Sequence, residues 1–377
     1  MRIGFDGKRA VQNFTGLGNY SRYVADILCH FYPENDYVLY APKKRENKRM
    51  NLLTGQYRQL TLAYPATSFW KKLSSLWRVW GITSQLEKEG IELFHGLSNE
   101  LPLNIHKSRI KSIVTIHDLI FLRYPQYYQS IDRKIYTYKF RKACENADKI
   151  IAISECTKRD IIRYFNIPDD KIEVVYQGCD VSFTHPVTEE KKEEVRKKYQ
   201  LPDHYILNVG SIEERKNILA AVQALPMLPQ HIHIVIVGRR TGYTEKVEQF
   251  IKDNGLGERV HIISNVPFND LPAFYQSAEI FVYPSRFEGF GIPIIEALYS
   301  GIPVVAAPGS CLEEAGGPDS IYVNPDDITG LADAFKQIYS NSDKRKNMVE
   351  KGREFAKRFS EKQQSEEIIN IYKKLIR

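Results

Sequence analysis

The sequence lacks the features that mark membrane-spanning, secreted and metal-stabilised proteins. Its 377 residues include no uninterrupted run of about 18 apolar residues, so we expect no membrane-spanning helix. No apolar core of signal-peptide length follows Met1, so we expect no secretion by that route. The five cysteines are scattered without a CxxC pair, a pattern that favours a reducing cytoplasm over disulfides or a structural zinc site.

The net positive charge of the chain comes from its first half. The net charge is +7, and residues 1–180 hold 28 basic and 19 acidic side chains, against 25 basic and 27 acidic ones in the remainder. This asymmetry indicates an anionic partner for the first half, such as nucleic acid, an anionic membrane surface or a phosphorylated substrate; solubility is the alternative explanation. Because no aromatic–basic recognition motif is present, we expect no nucleic-acid partner.

Short apolar runs alternate with helical patterns along the whole chain. Near-continuous Val and Ile runs are typical of parallel strands that are covered by helices on both faces. The fold class predicted is therefore α/β, with two doubly wound, Rossmann-like domains at residues 1–182 and 190–358. We expect a final helix at about 360–377 to pack on the first domain. The predicted strands are Arg2–Phe5, Tyr37–Ala41, Leu93–His95, Ser112–Ile116, Lys149–Ile153, Ile172–Val175, Tyr205–Val209, His233–Val237, Val260–Ile263, Ile280–Tyr283, Pro303–Ala306 and Ile321–Val323.

One segment, Phe69–Trp80, combines an aromatic stripe with basic residues. Apolar side chains recur there at the spacing of one helical face, namely Phe69, Leu73, Leu76, Trp77 and Trp80. The pattern predicts either a helix packed on the first sheet or a basic, aromatic-edged helix at a membrane interface.

Two glycines follow the first predicted strand in Thr15-Gly16-Leu17-Gly18-Asn19-Tyr20-Ser21. Glycines between a strand and a helix allow a phosphate to approach the backbone amides. Ser21 stands where a dinucleotide fingerprint has its third glycine, so a plain tight turn is the better explanation of the pair taken alone.

A basic pair follows the first strand of the second domain, in Gly210-Ser211-Ile212-Glu213-Glu214-Arg215-Lys216-Asn217. Arg215 and Lys216 concentrate donors and positive charge at a helix start, which suits a diphosphate. A solvated pair of basic side chains is the alternative.

Two glutamates bracket a glycine-containing loop, Glu288-Gly289-Phe290-Gly291-Ile292-Pro293-Ile294-Ile295-Glu296. Carboxylates accept hydrogen bonds from sugar hydroxyls, and the glycines free loop amides to reach an anion. We expect Pro293 at the first helical position, which places Glu288 in the loop and Glu296 in the helix.

A polar pair, His117-Asp118, follows the predicted strand Ser112–Ile116. Ligands of open α/β sheets bind beyond the carboxyl ends of the strands, so we expect both side chains to face a binding crevice. A structural His–Asp pair is the alternative.

Together these motifs resemble those of the retaining glycosyltransferases of family four, which have the GT-B fold of two Rossmann-like domains facing across a cleft. The resemblance covers nearly the whole chain. Its most specific part is Glu288 to Glu296, with seven residues between the two glutamates. The sequence segments around His95-Gly96, Thr115–Leu119 and Gly210–Asn217 are most similar to those of mannosyltransferase-B-like enzymes of O-antigen and capsule assembly.

The resemblance implies a role for each matching residue. Glu296 would accept hydrogen bonds from the ribose of a nucleotide sugar, and Glu288 would contact the hydroxyls of the donor sugar. Arg215 and Lys216 would hold the diphosphate, and His117 would lie against the donor sugar. The implied donor-binding set is completed by Gly16, Gly18, Ser211, Val266, Phe290, Gly291 and Ile292.

The implied activity is hexosyl transfer with retention, from a nucleotide sugar to a glycan or polyprenyl-diphosphate-linked acceptor. GDP-mannose is the favoured donor; UDP-glucose, UDP-N-acetylglucosamine, a sugar-nucleotide epimerase or hydrolase, and a non-enzymatic carbohydrate-binding module are the alternatives. No DxD motif appears, so we expect no metal or other cofactor, and Asp326-Asp327 is interpreted as a helix cap. We expect a cytoplasmic protein, with peripheral contact to an anionic membrane.

Overall fold

The apolar runs of the sequence form parallel β-strands in two separate sheets in the computed structural model, which describes residues 1–376. Strand residues are buried on both faces because helices cover each sheet; all four residues of the strand Ile280–Tyr283, for example, are buried. The chain divides into two compact units, residues 1–177 with 361–377 and residues 178–360. The predicted α/β class, with two Rossmann-like parallel sheets, is confirmed.

The first unit contains a seven-stranded parallel sheet with the order β3-β2-β1-β4-β5-β6-β7. Its strands are β1 (Arg2–Asp6), β2 (Asp36–Tyr40), β3 (Leu60–Ala63), β4 (Leu93–Gly96), β5 (Lys111–Ile116), β6 (Lys149–Ala152) and β7 (Ile172–Val174). Its helices are α1 (Lys8–Gln12), α2 (Gly16–Phe31), α3 (Lys48–Gln56), α4 (Ser68–Lys72), α5 (Ser74–Leu76), α6 (Ile82–Lys88), α7 (Ile120–Arg123), α8 (Ser130–Asn146) and α9 (Glu155–Phe165), with a π-helical turn at Trp77–Gly81. Short 3₁₀ turns lie at Ile105–Lys107, Pro125–Tyr127 and Asp169–Lys171.

The second unit contains a six-stranded parallel sheet with the order β10-β9-β8-β11-β12-β13. Its strands are β8 (Tyr205–Val209), β9 (His233–Val237), β10 (Val260–Ile263), β11 (Ile280–Tyr283), β12 (Val304–Ala306) and β13 (Ile321–Tyr322). Its helices are α10 (Glu189–Tyr199), α11 (Ile218–Ala224), α12 (Tyr243–Asp253), α13 (Leu271–Ser277), α14 (Ile292–Ser300), α15 (Leu312–Gly316), α16 (Ile328–Ser340) and α17 (Ser342–Ala356). Its 3₁₀ turns are Val181–Phe183, Glu214–Lys216, Leu225–Met227, Phe268–Asp270 and Lys357–Phe359.

The terminal helix, α18 (Glu361–Ile376), belongs to the first unit. Its apolar face, with Ile368, Ile369 and Tyr372, is buried in the same core as Val24 and Leu28 of α2. The chain thus leaves the first unit after Gln177 and returns to it at Glu361. The sequence-based boundary near Val181–Glu190 lies a few residues beyond that first crossing. No helix of residues 1–376 is both long and apolar enough to cross a bilayer.

Four local predictions need correction. Strand β3 was not predicted, because it lies at a sheet edge and lacks a buried-strand pattern: Thr61 is exposed, and Leu62 and Ala63 are half-buried. Helix α1 lies between β1 and the glycines, so these do not directly follow the strand. Pro293 is the second rather than the first residue of α14.

The fourth correction concerns the aromatic stripe of Phe69–Trp80. The structure breaks this segment into α4, α5 and the π turn, and only Trp77 of the five stripe residues is buried. Phe69, Leu73, Leu76 and Trp80 are between 39% and 61% exposed. The predicted single helix is therefore wrong, and of its two alternatives, packing on the sheet holds only for Trp77.

Candidate active site

The basic pair and the first glutamate meet at the carboxyl ends of neighbouring strands β8 and β11. Arg215 and Lys216 lie in the 3₁₀ turn Glu214–Lys216, and Asn217, with φ of 54°, redirects the chain into α11. Glu288 lies in the loop between β11 and α14. A backbone hydrogen bond from Arg286 N to Arg215 O (2.9 Å) joins the two segments.

The Glu288 carboxylate is the centre of this cluster. Its Oε1 lies 2.8 Å from Arg215 Nη1 and 3.8 Å from Lys216 Nζ. Ser285 Oγ (2.9 Å) and Tyr283 OH (3.2 Å) donate to the same oxygen. Lys216 Nζ also donates to Tyr283 OH over 3.1 Å. The neighbouring groups thus hold the carboxylate in one position.

The cluster keeps its two cations charged. Burial opposes charge on Arg215, but the Glu288 carboxylate outweighs burial and raises the Arg215 pKa. Burial likewise disfavours charge on Lys216, but Tyr283 and Glu288 raise the Lys216 pKa. Burial also opposes ionisation of Glu288, and the adjacent Lys216 and Arg215 nevertheless lower its pKa. Glu213 also lies near Arg215, with its Oε2 3.6 Å from Arg215 Nη2. The two charged side chains Arg215 and Lys216 are suited to an anionic ligand.

The loop after Glu288 is fixed through its backbone. Cys311 Sγ lies 3.0 Å from Glu288 O and 2.8 Å from Phe290 O. Gly291, the residue before α14, has φ of 133°, a conformation that L side chains rarely adopt, and a Cβ there would lie 3.1 Å from Leu312. No side chain among the described residues caps α14, so its first amides, at Gly291 and Ile292, remain suited to an anion.

Glu296 lies one turn into α14 and is supported by the buried Tyr275. Tyr275 OH donates to Glu296 Oε2 over 2.6 Å. Burial raises the Glu296 pKa to about 7, with a smaller contribution from the negative charge of Asp180. The carboxyl therefore titrates near neutral pH, and ligand groups that donate to it would favour its charged form.

The other predicted donor-binding residues of this unit have differing surroundings. Ser211 Oγ already donates to Glu213 Oε1 over 2.6 Å. The Phe290 side chain is buried, with its ring 5.6 Å from that of Phe359, so only its backbone could face a ligand. Val266 is half-buried in the segment that follows β10.

The first unit carries the other predicted catalytic residue, His117, directly after β5. His117 is buried, and its Nε2 lies 2.9 Å from Leu97 O while its Nδ1 lies 3.1 Å from Gln177 Nε2. These partners fit a neutral ring that donates from Nε2 and accepts at Nδ1. Burial lowers its pKa to about 4, which agrees with a neutral ring.

The alternative of a structural His117–Asp118 pair does not hold, because the ring nitrogens of His117 contact Leu97 and Gln177. Asp118 Oδ1 accepts from Ile120 N at the start of α7 (3.1 Å), while the backbone N of His117 donates to Asn99 Oδ1 (2.7 Å). The Tyr20 ring contacts the His117 ring edge to face, with centroids 4.6 Å apart. The imidazole is thus held on several sides by its own unit.

The two glycines near the start of α2 differ in what surrounds them. A Cβ at Gly18 would lie 2.0 Å from Asn13 O, so this glycine is required by the packing of the chain itself. A Cβ at Gly16 would meet nothing within 4 Å. Of the two, Gly16 has open space where a ligand could approach.

Sequence reasoning missed the supporting groups of both sites. Tyr283, Ser285 and Tyr275 hold the two glutamates, and Asn99 and Gln177 hold His117. A local signal existed for two of them, because Tyr283 ends a strand and Ser285 stands three residues before Glu288. Tyr275 and Gln177 gave no local sequence signal, since only the tertiary structure brings them next to Glu296 and His117. Within residues 1–376, no three His, Cys, Asp or Glu side chains are grouped as metal ligands.

Comparisons with known proteins agree with this architecture. Residues 189–355 match the family model "Glycosyl transferases group 1", and residues 21–183 match the model "Glycosyltransferase Family 4". The chain is 31% identical over 289 residues to O-antigen chain mannosyltransferase B from Escherichia coli, covering 75% of this chain and 74% of that protein. It is 29% identical over 225 residues to O-antigen chain mannosyltransferase RfbU from Salmonella typhimurium, covering 60% of each.

The fold also resembles that of solved glycosyltransferases. The crystal structure of Anabaena Alr3699/HepE in complex with UDP and glucose superposes with a TM-score of 0.77 over 100% of both chains, at 18% identity. Two parallel-sheet units, the matches to both family models and the identity to mannosyltransferase B lead to one conclusion. The chain belongs to the family-four glycosyltransferases of GT-B fold, in the group that includes the O-antigen mannosyltransferases.

Proposed function

We propose that this glycosyltransferase moves a mannosyl residue from GDP-mannose, with retention of configuration, to a glycan or polyprenyl-diphosphate-linked acceptor in surface polysaccharide synthesis. The observation that carries the proposal is the Arg215–Lys216–Glu288 cluster beside the uncapped start of α14. It supplies two fixed cations, helix amides and one carboxylate for a sugar diphosphate.

The cations are suited to the charge that develops during transfer. When the bond between the sugar C1 and the diphosphate oxygen breaks, negative charge grows on the leaving diphosphate. Arg215 and Lys216 are held in place before any ligand binds, so little reorganisation is needed at that moment. Glu288, oriented by Tyr283 and Ser285, is placed to accept hydrogen bonds from hydroxyls of the sugar.

Retention is proposed to occur by attack on the same face from which the diphosphate leaves. The acceptor oxygen bonds to C1 as the C1–O bond to phosphate breaks, and the acceptor proton passes to the departing phosphate oxygen. This scheme needs positioning more than a protein base. The two ring nitrogens of His117 already have partners and its pKa is low, which supports a positioning role for this residue.

The identity of the donor rests on the relatives. Both O-antigen mannosyltransferases named above support mannose, whereas the cluster itself would bind the diphosphate of UDP-glucose or UDP-N-acetylglucosamine equally well. Glu296 is proposed to bind the ribose hydroxyls. We also propose that no metal is required, that the protein acts in the cytoplasm, and that it contacts an anionic membrane peripherally.

Thermal unfolding with a panel of nucleotides and nucleotide sugars tests the donor. A ligand at about 100 times its dissociation constant stabilises the folded state by about 2.7 kcal/mol. We expect stabilisation by GDP and GDP-mannose but not by UDP or ADP compounds. Stabilisation by UDP compounds alone would show that the donor is a UDP-sugar and not GDP-mannose. If no compound stabilised the protein, the proposed donor site would be contradicted.

Turnover assays test the reaction. Product formed from GDP-mannose should require acceptor, persist in EDTA and carry the α-configuration of the donor by NMR. Consumption of donor without acceptor would instead indicate an epimerase or hydrolase.

A further inference from the structure

The first unit exposes two apolar strips on neighbouring elements. The first strip consists of Phe69, Leu73, Leu76 and Trp80, which recur at the spacing of one helical face. The second strip consists of Ile131, Ile135 and Tyr138 on α8, which are 68%, 44% and 56% exposed. Large apolar side chains grouped in this way on a water-facing surface mark an interaction site.

The first strip cannot be a displaced part of the core, because the opposite face of its segment is already packed. Trp77 is fully buried, and its Nε1 donates to Gln85 Oε1 over 3.1 Å. Ser74 and Gly81 are buried on the same side, and a Cβ at Gly81 would lie 2.6 Å from the Trp70 ring. The segment is therefore fixed with its second apolar face outward.

Both strips flank the loop that follows β4. Leu103 N donates to Val79 O (2.9 Å) and Asn104 Nδ2 to Trp80 O (3.1 Å), on the side of the first strip. Asn146 Nδ2 of α8 donates to Leu103 O (3.0 Å), and Lys139 of α8 lies 3.6 Å from Glu100. The two strips are thus parts of one region of the first unit.

The charge around the strips indicates the partner. Residues 68–81 contain no acidic residue, and their exposed cations are Lys71 and Lys72, since Arg78 is paired with Asp6 and Glu100. Helix α8 contains five basic and two acidic residues. Lys71, Lys72 and Lys134 are exposed beside the strips. Aromatic and aliphatic side chains edged by lysines are the chemistry of a protein surface that lies on anionic lipid headgroups.

Arg78 connects the first strip to the sheet edge that carries His117. Its side chain is only 12% exposed, with Nε 3.1 Å from Asp6 Oδ1 at the end of β1 and Nη1 2.6 Å from Glu100 Oε2. Asp6 and Glu100 outweigh the effect of burial and raise the Arg78 pKa, so the link stays charged. A surface bound through the strip would thereby lie close to the carboxyl edge of the first sheet.

We propose that the two strips form a docking surface for an anionic lipid bilayer, which presents a lipid-linked acceptor to the carboxyl edge of the first sheet. The docking surface stands on exposure, packing and charge in the first unit alone. The presentation of an acceptor rests on the proposed glycosyltransferase function.

Co-sedimentation of the full chain with lipid vesicles tests the surface. Vesicles of equal parts phosphatidylglycerol and phosphatidylcholine are compared with pure phosphatidylcholine, at low and high salt. We expect binding to the anionic vesicles that weakens with salt, and binding at least about tenfold weaker to the neutral ones. Absent binding to the anionic vesicles, or equal binding to both, would overturn the proposal.

Matched variants locate the binding. Leu76→Ser with Trp80→Ser, Ile131→Ser with Ile135→Ser, and Lys71→Glu with Lys72→Glu should each weaken vesicle binding at least about tenfold. Controls in the second unit are Met227→Ser, which is 44% exposed, and Lys246→Glu with Lys252→Glu. Strip variants that bind like the wild type, or controls that lose binding equally, would overturn the assignment.

A separate readout distinguishes this proposal from the donor proposal. The thermal shift with nucleotide sugar is proposed to depend on Arg215, Lys216 and Glu288, which no strip variant changes, and should persist in every strip variant. A strip variant that keeps the thermal shift with nucleotide sugar but loses vesicle binding supports the proposed docking surface. Loss of both in a strip variant indicates a damaged fold. The milder Leu76→Ala with Trp80→Ala, which removes apolar area without adding a polar group, should then weaken vesicle binding, and wild-type binding by it would overturn the assignment.

Discussion

At the scale of single residues, the candidate site is built around a buried carboxylate whose partners are mostly cations and hydroxyls. Glu288 Oε1 is contacted by Arg215, Tyr283 and Ser285, with Lys216 3.8 Å away. Such an arrangement costs free energy if any single partner is removed, because the others are left buried and unbalanced. Substitutions in this cluster can therefore separate the effect of charge from the effect of side-chain geometry.

Arg215→Ala should lower kcat by roughly 10²–10³-fold, the cost typical of losing one preorganised group that stabilises developing charge. Arg215→Lys should recover only part of this, since lysine restores the charge but not the planar fork. Steady-state kinetics with a nucleotide-sugar donor provide the measurement, with thermal unfolding to verify folding.

The control for this prediction is Arg239→Ala. Arg239 is 75% exposed and lies 3.7 Å from Glu213, so it shares the neighbourhood without touching Glu288. The Arg239→Ala enzyme should have the kcat of the wild type. An Arg215→Ala enzyme with wild-type kcat would refute the role of this side chain.

Glu296 predicts a pH dependence of stability. Its pKa is about 7 in the folded protein, where burial is the main cause, against about 4.3 for a glutamate in an unfolded chain. Between about pH 4.5 and pH 7 the folded state keeps a proton that the unfolded chain has lost. The free energy of unfolding should therefore fall as the pH rises through this window.

Glu296→Gln isolates that contribution, because the amide cannot ionise. Urea unfolding at about pH 5 and about pH 8 should show a smaller loss of stability in the variant than in the wild type. The same pH slope in both proteins would show that Glu296 does not titrate in this window.

At the scale of secondary structure, the start of α2 depends on a close backbone approach. Gly18→Ala places a Cβ 2.0 Å from Asn13 O and should destabilise the protein by about 1–3 kcal/mol, as overpacking does. Gly16→Ala meets nothing within 4 Å and should be neutral or slightly stabilising in the helix. Denaturant unfolding of the two variants gives the comparison; equal stabilities would show that the chain relaxes at Gly18.

The elements themselves were largely predictable from the sequence. Buried parallel strands such as His233–Val237 produce continuous apolar runs, and those runs were recognised. Edge strand β3 was missed because only one of its four residues is buried. The stripe Phe69–Trp80 was ambiguous, since periodicity identifies a face but not which of two apolar faces meets the core.

The candidate site was predictable only in part. Charged residues in loops after strands, such as Arg215 and Glu288, are visible because such positions rarely serve packing. Their supports were not visible, because Tyr275 and Gln177 are far from Glu296 and His117 in sequence. The roles assigned to the predicted residues stay predictions until variants are measured.

At the scale of the whole molecule, the terminal helix joins a hydrogen-bonded chain that reaches the side of His117. Tyr372 OH lies 2.6 Å from His95 Nδ1, and His95 Nε2 lies 2.8 Å from Thr115 Oγ1. Thr115 Oγ1 in turn lies 3.2 Å from the OH of Tyr20, whose ring packs on His117. Residues almost the whole chain apart thus fix the surroundings of one imidazole.

Tyr372→Phe should therefore destabilise the first unit while leaving the Arg215–Lys216–Glu288 cluster of the second unit intact. Removing the hydroxyl leaves His95 Nδ1 buried without its partner, at a cost of about 1–3 kcal/mol. Burial already lowers the His95 pKa to about 3, so protonation cannot relieve the loss at neutral pH. Denaturant unfolding should show this loss of stability, whereas the control Tyr138→Phe, at a side chain that is 56% exposed, should be as stable as the wild type.

Because Arg215 and Glu288 lie in the other unit, stabilisation by the nucleotide-sugar donor should persist in Tyr372→Phe. Loss of that stabilisation, in a variant still folded by circular dichroism, would show that the two units do not act independently in donor binding.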